Sequence, residues 1–333
     1  MIDGIPIFDC VIHVYDMTDE NVNSQPTARH ARDHMAALQT LARVLPVNAD
    51  YPVITRWSPE DVYDMVFTRG GTDLAMAQTV PIYDWYEDWF APVKAQYEMA
   101  QKFPGEVLFC GGVDPVGQGL DVALKQIDVQ VNDMGARSFK LYNGHIEGSW
   151  RCDDKELAYP LYAKMLDNGI DVVQFHKGSP FGMQNLEDLS PLDLQAAARD
   201  FPEMNFVIHH AGVPFFEETV SIAGRFPNVY VALSGNLNPY FIMPRQVEEW
   251  VGRLLFEVGV DKLLWGSEAA AQGNPRPYLE AFIHQFEIRD ALRNDYGYPQ
   301  ITREDKIKIL GGNFARLMKV ELPAPQAPAS DLG

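Results

Sequence analysis

The stretch Ile7-Phe8-Asp9-Cys10-Val11-Ile12-His13, "IFDCVIH", is a short and nearly continuous apolar run that ends in a histidine. Runs of this kind are covered on both faces in a parallel sheet. A histidine at such an end is either a packed spectator or a ligand, so the question is whether the pattern recurs. Seven further runs follow: "LAMAQTV" (74–80), "EVLFCGGV" (106–113), "ARSFKLY" (136–142), "DVVQFH" (171–176), "NFVIHH" (205–210), "VYVALS" (229–234) and "KLLWGS" (262–267).

Between these runs lie helical patterns with polar faces, among them 119–135, 156–169, 192–202, 216–227 and 245–259, several ending in Gly or Pro as helices tend to. Strand and helix alternating in this way predict an α/β chain with a parallel sheet. Eight strands with helical crossovers favour a (β/α)8 TIM barrel over an open sheet, and no G-x-G-x-x-G follows any strand to argue for a dinucleotide fold. The predicted domain spans residues 1–320, and 321–333, rich in Pro and Ala, reads as a flexible or partner-embracing tail.

Helical insertions are expected after strands one and two. The first covers about 15–73, with helices in "TARHARDHMAALQTLARVL" and "SPEDVYDMVFT". The second, after strand two, carries Tyr83, Trp85, Tyr86, Trp89 and Phe90. Both leave C-terminal ends of strands and are expected to wall a pocket. The aromatics serve equally as a packed lid, as a dimer contact or as a stacking surface for substrate, and Trp85 and Trp89 are the substrate-binding candidates. Asn236, in "SGNLNPYFIMP" after strand seven, is a third. After strand eight two further helices are expected.

The totals bound the function. With 333 residues, 47% hydrophobic and 22% charged, the chain can bury a large core. A net charge of −19 disfavours nucleic acid and anionic membranes, which need clustered Lys and Arg. No apolar run approaches the ~20 residues of a membrane helix, and the expected setting is the cytoplasm. The three cysteines, Cys10, Cys110 and Cys152, are too few and too irregular for a disulfide framework and read as reduced thiols. The expected partners are a small-molecule substrate and a second copy of the chain.

In a barrel the C-terminal strand ends face one cavity. Here those ends supply His13, Lys140, His176, His209 or His210, and Glu268, while His30, His34, His145 and His284 fall in helices or loops. A lone buried imidazole is more often a satisfied core residue than a ligand; several on one rim, with a carboxylate, make the set that suits a divalent metal able to activate water. Because adjacent strand residues point to opposite faces, only one of His209 and His210 is expected to enter the cavity cleanly.

The chain also resembles the amidohydrolase superfamily, in particular the branch of aminocarboxymuconate semialdehyde decarboxylase and related hydrolases. The likeness lies in "FDCVIHVYD" (8–16), "VDP" (113–115), "SFKLYNG" (138–144), "QFHKG" (174–178), "VIHHAGVP" (207–214), "LLWGSE" (263–268) and "ILGGNFARL" (309–317). The resemblance implies that His13 and His176 are metal ligands, that His210 is the catalytic histidine and His209 packs against the surrounding helices, and that Glu268 takes the place of the family's aspartate. Lys140 stands where some members of the wider superfamily carry a carboxylated lysine between two metals, and pairing with Glu268 or a substrate anion is its plainer reading. Two departures matter: Val11 stands where the family's first histidine would be, and Glu268 is one methylene longer than Asp.

A retained metal on His13, His176, Glu268 and either His210 or a modified Lys140, a rebuilt site, and no metal at all are the three readings. Zinc heads the metals, with iron and manganese as thinkable. A hydrolase of ester, lactone, thioester or amide carbonyls is the first expectation, with Glu268 and His210 catalytic. Non-oxidative decarboxylation of an aromatic or unsaturated acid is the second and needs an arginine near the cavity, for which Arg56, Arg69, Arg151 and Arg245 are candidates. A non-catalytic binding barrel is the third.

Overall fold

The computed structural model describes residues 1–41 and 54–326. The later part of the predicted first insertion helix (42–45) and the end of the predicted tail lie outside them. Eight strands form one sheet in sequential order, β1 (Phe8–Ile12), β2 (Leu74–Gln78), β3 (Val107–Gly112), β4 (Ser138–Leu141), β5 (Val172–Phe175), β6 (Asn205–Ile208), β7 (Val229–Ala232) and β8 (Leu263–Leu264). Every neighbouring pair is parallel. The Cys10 amide donates to the Trp265 carbonyl at 3.1 Å, which joins the first strand to the last and makes the sheet a nearly closed (β/α)8 barrel.

Alternation along the strands sorts the side chains into two layers. Outward-facing Phe139, Leu141, Val173, Phe175, Phe206 and Ile208 pack under the helices. Each such aromatic or branched side chain contributes about 1.5–3 kcal/mol relative to exposure. Inward-facing Met76, Cys110, Val172, Val207 and Leu264 fill the lower barrel, and Phe314 closes its base against Phe8, ring centroids 4.6 Å apart. Above this apolar plug the interior turns polar, with Gln78, Ser138, Lys140 and Gln174 all buried.

The ladders stop short of the predicted strand ends, for local reasons. The Trp265 amide donates to the Ile309 carbonyl of the π-helical turn Lys308–Gly312, so β8 pairs over two residues only. Beyond Ile208 the chain enters a tight turn, His209–Gly212, in which His210 (φ 56°) and Ala211 (φ 47°) take left-handed backbone. Between Asp9 and Ile12 the register against β2 shifts by one residue. Val11 sits at that shift, fully buried, and its Cγ1 lies only 2.4 Å from where a Cβ on Gly266 would be, so the seam between β1 and β8 closes on a glycine.

The first insertion contains the helix Ala28–Leu41 and a second helix, Pro59–Tyr63, continued by a π-helical stretch to Arg69. Ser58 and Asp61 start the second with a capping box. The excursion after β2 contains the expected helix, Val93–Lys102, while its aromatic part before that helix folds inward, with Val80 bridging Ala91 across it. After β8 the chain forms five α-helices among the described residues, at 269–272, 276–284, 290–296, 303–307 and 313–318, where the sequence suggested two. None of the described helices is long and apolar enough to cross a membrane.

Candidate active site

A cavity of about 360 Å3 opens at the C-terminal end of the barrel. Five of the predicted site residues line it: His13, His176, His210, Asn236 and Glu268. His13 is held from two sides. Just beyond it Gln96 makes a paired contact with the Val14 backbone, accepting from its amide and donating to its carbonyl at 2.9 Å each, as a neighbouring strand would. The His13 ring itself lies with Nδ1 2.7 Å from the Gln78 carbonyl oxygen.

A carbonyl only accepts, so the proton of the neutral His13 ring sits on Nδ1 and Nε2 presents a lone pair. That lone pair faces Glu268 Oε2 at 3.5 Å. Glu268, in left-handed backbone at φ 54°, turns its carboxylate over the mouth, where Oε1 is buried without a hydrogen-bond partner and lies 3.9 Å from His210 Nδ1. Burial would raise the Glu268 pKa, yet a hydrogen bond and charge from His13 in its protonated form, with the charges of His210 and Lys140, outweigh it and hold the carboxyl down to about 2. It is an anion at any ordinary pH.

His176 and His210 meet edge to face, with His210 Nε2 3.0 Å from His176 Nδ1. His176 Nε2 donates to the Ser179 carbonyl at 2.8 Å, which leaves Nδ1 as the acceptor and makes His210 Nε2 the donor between the rings. Tyr142 stacks on His176 at 4.5 Å and fixes its plane. Burial, with the nearby His210 and Lys140 charges, keeps His176 well below its ordinary pKa. Burial also lowers His210, to about 4 against the pull of Glu268, so both rings are neutral at pH 7. The protonated form of His210 nevertheless has an acceptor in place, since Nδ1 lies 3.2 Å from the Ser234 carbonyl.

His209 corrects the expected choice between the two histidines, since it continues the inward series of Val207 in β6. It does not pack against the outer helices but points into the barrel, fully buried, with Nε2 2.8 Å from Gln174 Oε1 and Nδ1 3.1 Å from Ser234 Oγ. The left-handed turn at His210 is what brings two successive histidines to the same interior. Ser234 Oγ also accepts the His210 amide at 3.0 Å, so one directed chain runs from Gln174 through His209 and Ser234 to His210. Asn236 donates to the His210 carbonyl and holds the same turn from the other side.

Three sequence candidates do not reach the cavity. Trp85 is fully buried behind Phe181, with Nε1 bonded to Thr27 Oγ1 at 2.9 Å. Trp89 sits at φ 60° and gives its carbonyl to Asn21, away from the lining. Aromatic content marked the right segment but not the right rings: the lining aromatics are Tyr15, Phe90, Tyr142 and Phe181. Lys140 lies beneath the floor, fully buried, with no carboxylate within ion-pair distance among the described residues. Burial lowers its pKa to about 8 against the pull of Glu268.

None of the arginine candidates lines the cavity either. Arg56 pairs with Asp16, Arg69 with Asp64 and Arg151 with Asp153, while Arg245 stands exposed on the helix Pro244–Glu257. His34, which sequence reasoning set aside, does reach the rim, together with Met35 and Leu38. Their spacing along Ala28–Leu41 puts them on one face of that helix, a signal readable only once the helix is known to cover the mouth.

Asp9 and Asp114 are positioning groups. Asp9 Oδ1 accepts from the Ser267 and Val11 amides at 2.9 and 3.1 Å, tying the two sides of the seam below Glu268. Asp114 Oδ1 accepts from the Val116 and Gly117 amides, as turn chemistry predicts, and Oδ2 bonds His145 Nε2 at 2.9 Å. The other side of His145 meets Asp84 Oδ2 at 2.8 Å. Burial works against a charged ring there, but hydrogen bonds and charge from Asp114 and Asp84 overcome it and hold His145 up to about 9.

The donor set bears on whether a divalent cation fits. Ligand atoms about 2.0–2.2 Å from one ion stand roughly 3–3.5 Å from each other. The opposed lone pairs of His13 Nε2 and Glu268 Oε2 have that spacing, and the unpartnered Glu268 Oε1 adds an uncompensated acceptor beside His210. Gln78 orients His13 as an outer-shell carbonyl orients a ligating imidazole. Among the described residues no three His, Cys, Asp or Glu side chains already converge on one ion-sized point, and Val11 supplies no donor. The residues thus fit a cation at His13 and Glu268, with His210 beside them, and not the two-histidine strand-one pattern.

A family model described as amidohydrolase matches residues 9–320. Protein fluG of Emericella nidulans is 32% identical over 169 residues, which is 47% of this chain; the match spans only 18% of that relative's length. Among solved structures, a TIM-barrel protein Bb4693 of Bordetella bronchiseptica superposes with a TM-score of 0.67 at 20% identity, covering 95% of this chain and 99% of that one. A dihydroxybenzoic acid decarboxylase of Polaromonas sp. JS666, solved with manganese and an inhibitor, gives 0.57 at 13% identity over 95% and 97%. At such identities these structures speak to the fold.

Proposed function

From the membership of this chain in the amidohydrolase family, whose model spans residues 9–320, we propose that it is a metal-dependent hydrolase acting on an ester, lactone, thioester or amide carbonyl. The observation that carries this reading is the opposed pair His13 Nε2 and Glu268 Oε2, with Glu268 Oε1 unpartnered at the mouth of the barrel. When bound, a divalent cation supplies a lowered water pKa, from ~15.7 towards about 7, and charge stabilisation at a carbonyl oxygen. Zinc is the first choice for a nitrogen and carboxylate set, with manganese and iron next.

This chain's own residues would do the rest. Glu268, an anion, takes a proton from the attacking water. His210, neutral at rest, receives that proton at Nδ1, where the Ser234 carbonyl stabilises the charged ring, and returns it to the leaving group. The water oxygen bonds to the acyl carbon, the bond to the leaving alcohol or amine breaks, and that group departs with the proton. His176 holds the His210 ring through the bond between them. The product is a carboxylate formed beside Glu268, and repulsion between the two anions favours its release.

Decarboxylation would need, besides the metal, an arginine for the substrate's carboxylate, and no Lys or Arg lines the cavity among the described residues. The setting is part of the proposal: the three buried, unpaired cysteines suit the reducing cytoplasm. Elemental analysis of the purified protein, combined with turnover of an ester and aromatic-acid panel in 18O-labelled water, tests the reading. The expected result is near-stoichiometric divalent metal and label in a product acid; carbon dioxide release from an aromatic acid, without labelled product, would reject it.

A further inference from the structure

The cavity is divided by chemistry. Its floor is polar, built from His13, His176, His210 and Glu268, with Asn236 and Gln272 at the side. Its outer wall is carbon apart from the exposed rim residue His34, whose Nδ1 accepts from the Gly182 amide: Met35 and Leu38 from the helix Ala28–Leu41, Val80 and Phe90 from the chain after β2, Phe181 after β5 and Ala271 after β8. Among the described residues Glu268 is the one carboxylate of the lining, and no ammonium or guanidinium joins it. The closest buried lysine, Lys140, stays beneath the floor and is no part of the lining.

An anionic group placed against the carbon part of that wall would therefore leave water for a surface that offers no Lys or Arg counter-charge among the described residues, a transfer that is strongly unfavourable. Hydrocarbon placed there gains from leaving water, roughly in proportion to the area covered. We infer, on the hydrolytic reading of this same site, that the substrate's acyl portion is uncharged and apolar: a ring or branched hydrocarbon whose carbonyl lies on the floor and whose far end carries no carboxylate, phosphate or sulfate. Four of those six carbon-wall residues come from the segments after β1 and β2, so selectivity resides in the insertions while the chemistry resides in the barrel.

The test uses the full chain with its metal and two matched esters, 4-nitrophenyl cyclohexanecarboxylate and the same ester bearing a second, free carboxylate at ring position 4. The expected kcat/KM is at least about a hundredfold higher for the uncharged ester, and a ratio near one, or an inverted ratio, overturns the inference. Leu38→Arg, on a half-exposed helix position that tolerates the change, is expected to shrink the ratio about tenfold or more by improving the charged ester; an unchanged ratio counts against the wall as the selector. If neither ester is turned over, the hydrolytic reading fails, and the substrate class is decided by equilibrium binding of cyclohexanecarboxamide against its 4-carboxy analogue. Tighter binding of the uncharged amide by about tenfold or more keeps the inference, and equal or tighter binding of the acid ends it.

Discussion

His13 and Glu268 belong to opposite ends of the chain, yet they face each other at 3.5 Å across the seam between the first and last strands. The Gln78 carbonyl sets the proton of the neutral imidazole away from the carboxylate, and in that form of the ring the two groups meet as acceptors. Their opposition is the feature a catalytic cation would answer.

Removing either group should abolish catalysis without unfolding the barrel. His13→Ala and Glu268→Gln are each expected to lower kcat/KM by about 10²-fold or more, the scale of losing a ligand or a positioned base. Bound metal, read by elemental analysis, should fall in both. Near-normal turnover in either variant would refute the assignment.

Ser234 serves two histidines at once through one oxygen. Ser234→Ala leaves the His210 amide and His209 Nδ1 without their partner, both in buried positions. The expected cost is about 1–3 kcal/mol in urea denaturation. A fall in kcat larger than the change in KM should accompany it, because the His210 turn loses its anchor; Ser234→Thr, which restores the hydroxyl, should recover most of both.

The Asp84, His145 and Asp114 cluster predicts a pH dependence of stability. Its histidine is held up to about 9, above an unfolded value of 6.5, so the folded chain binds the proton more tightly. The stabilisation is then complete below pH 6.5 and is lost as pH rises through about 9. Melting temperatures measured between pH 6 and 10 should decline across that window in the parent, and His145→Gln, which carries no charge, should be less stable at pH 6 and show a flatter profile.

Restoring the family's strand-one histidine should not restore a ligand. Val11 is buried against Gly266, at a place where even a methyl on that glycine would come within 2.4 Å of it. Val11→His is expected to cost about 1–3 kcal/mol through overpacking, with no gain in bound metal. An increase in metal stoichiometry with undiminished melting temperature would show the seam to be roomier than its packing implies.

Much of this was legible in residue patterns. Eight apolar runs with helical spacing between them specified the barrel, because buried parallel strands have to be apolar on both faces. Strand-end polarity likewise pointed to His13, His176, His210 and Glu268. What failed did so where tertiary contacts override local rules. His209 kept the alternation, inward like Val207, and it was His210 that departed from it, because its own backbone turns left-handed. Trp85 was drawn into the core because its indole found Thr27, while Phe181 and Tyr142, unremarkable in sequence, took the cavity wall. His34 became a rim residue only through the way its helix lies across the mouth.

The brevity of β8 has a mechanical corollary. Most of the ring is stitched by four- to six-residue strands, but the closing stave is pinned by a two-residue ladder, by the amide of Cys10 and by Asp9. Thermal breathing of the whole cylinder should concentrate at this join, so amide deuteration would enter between residues 263 and 268 sooner than in any other stave. The carboxylate at the top of that stave therefore rides on the shortest ladder of the ring, and whatever bridges it to His13 also rivets the cylinder shut.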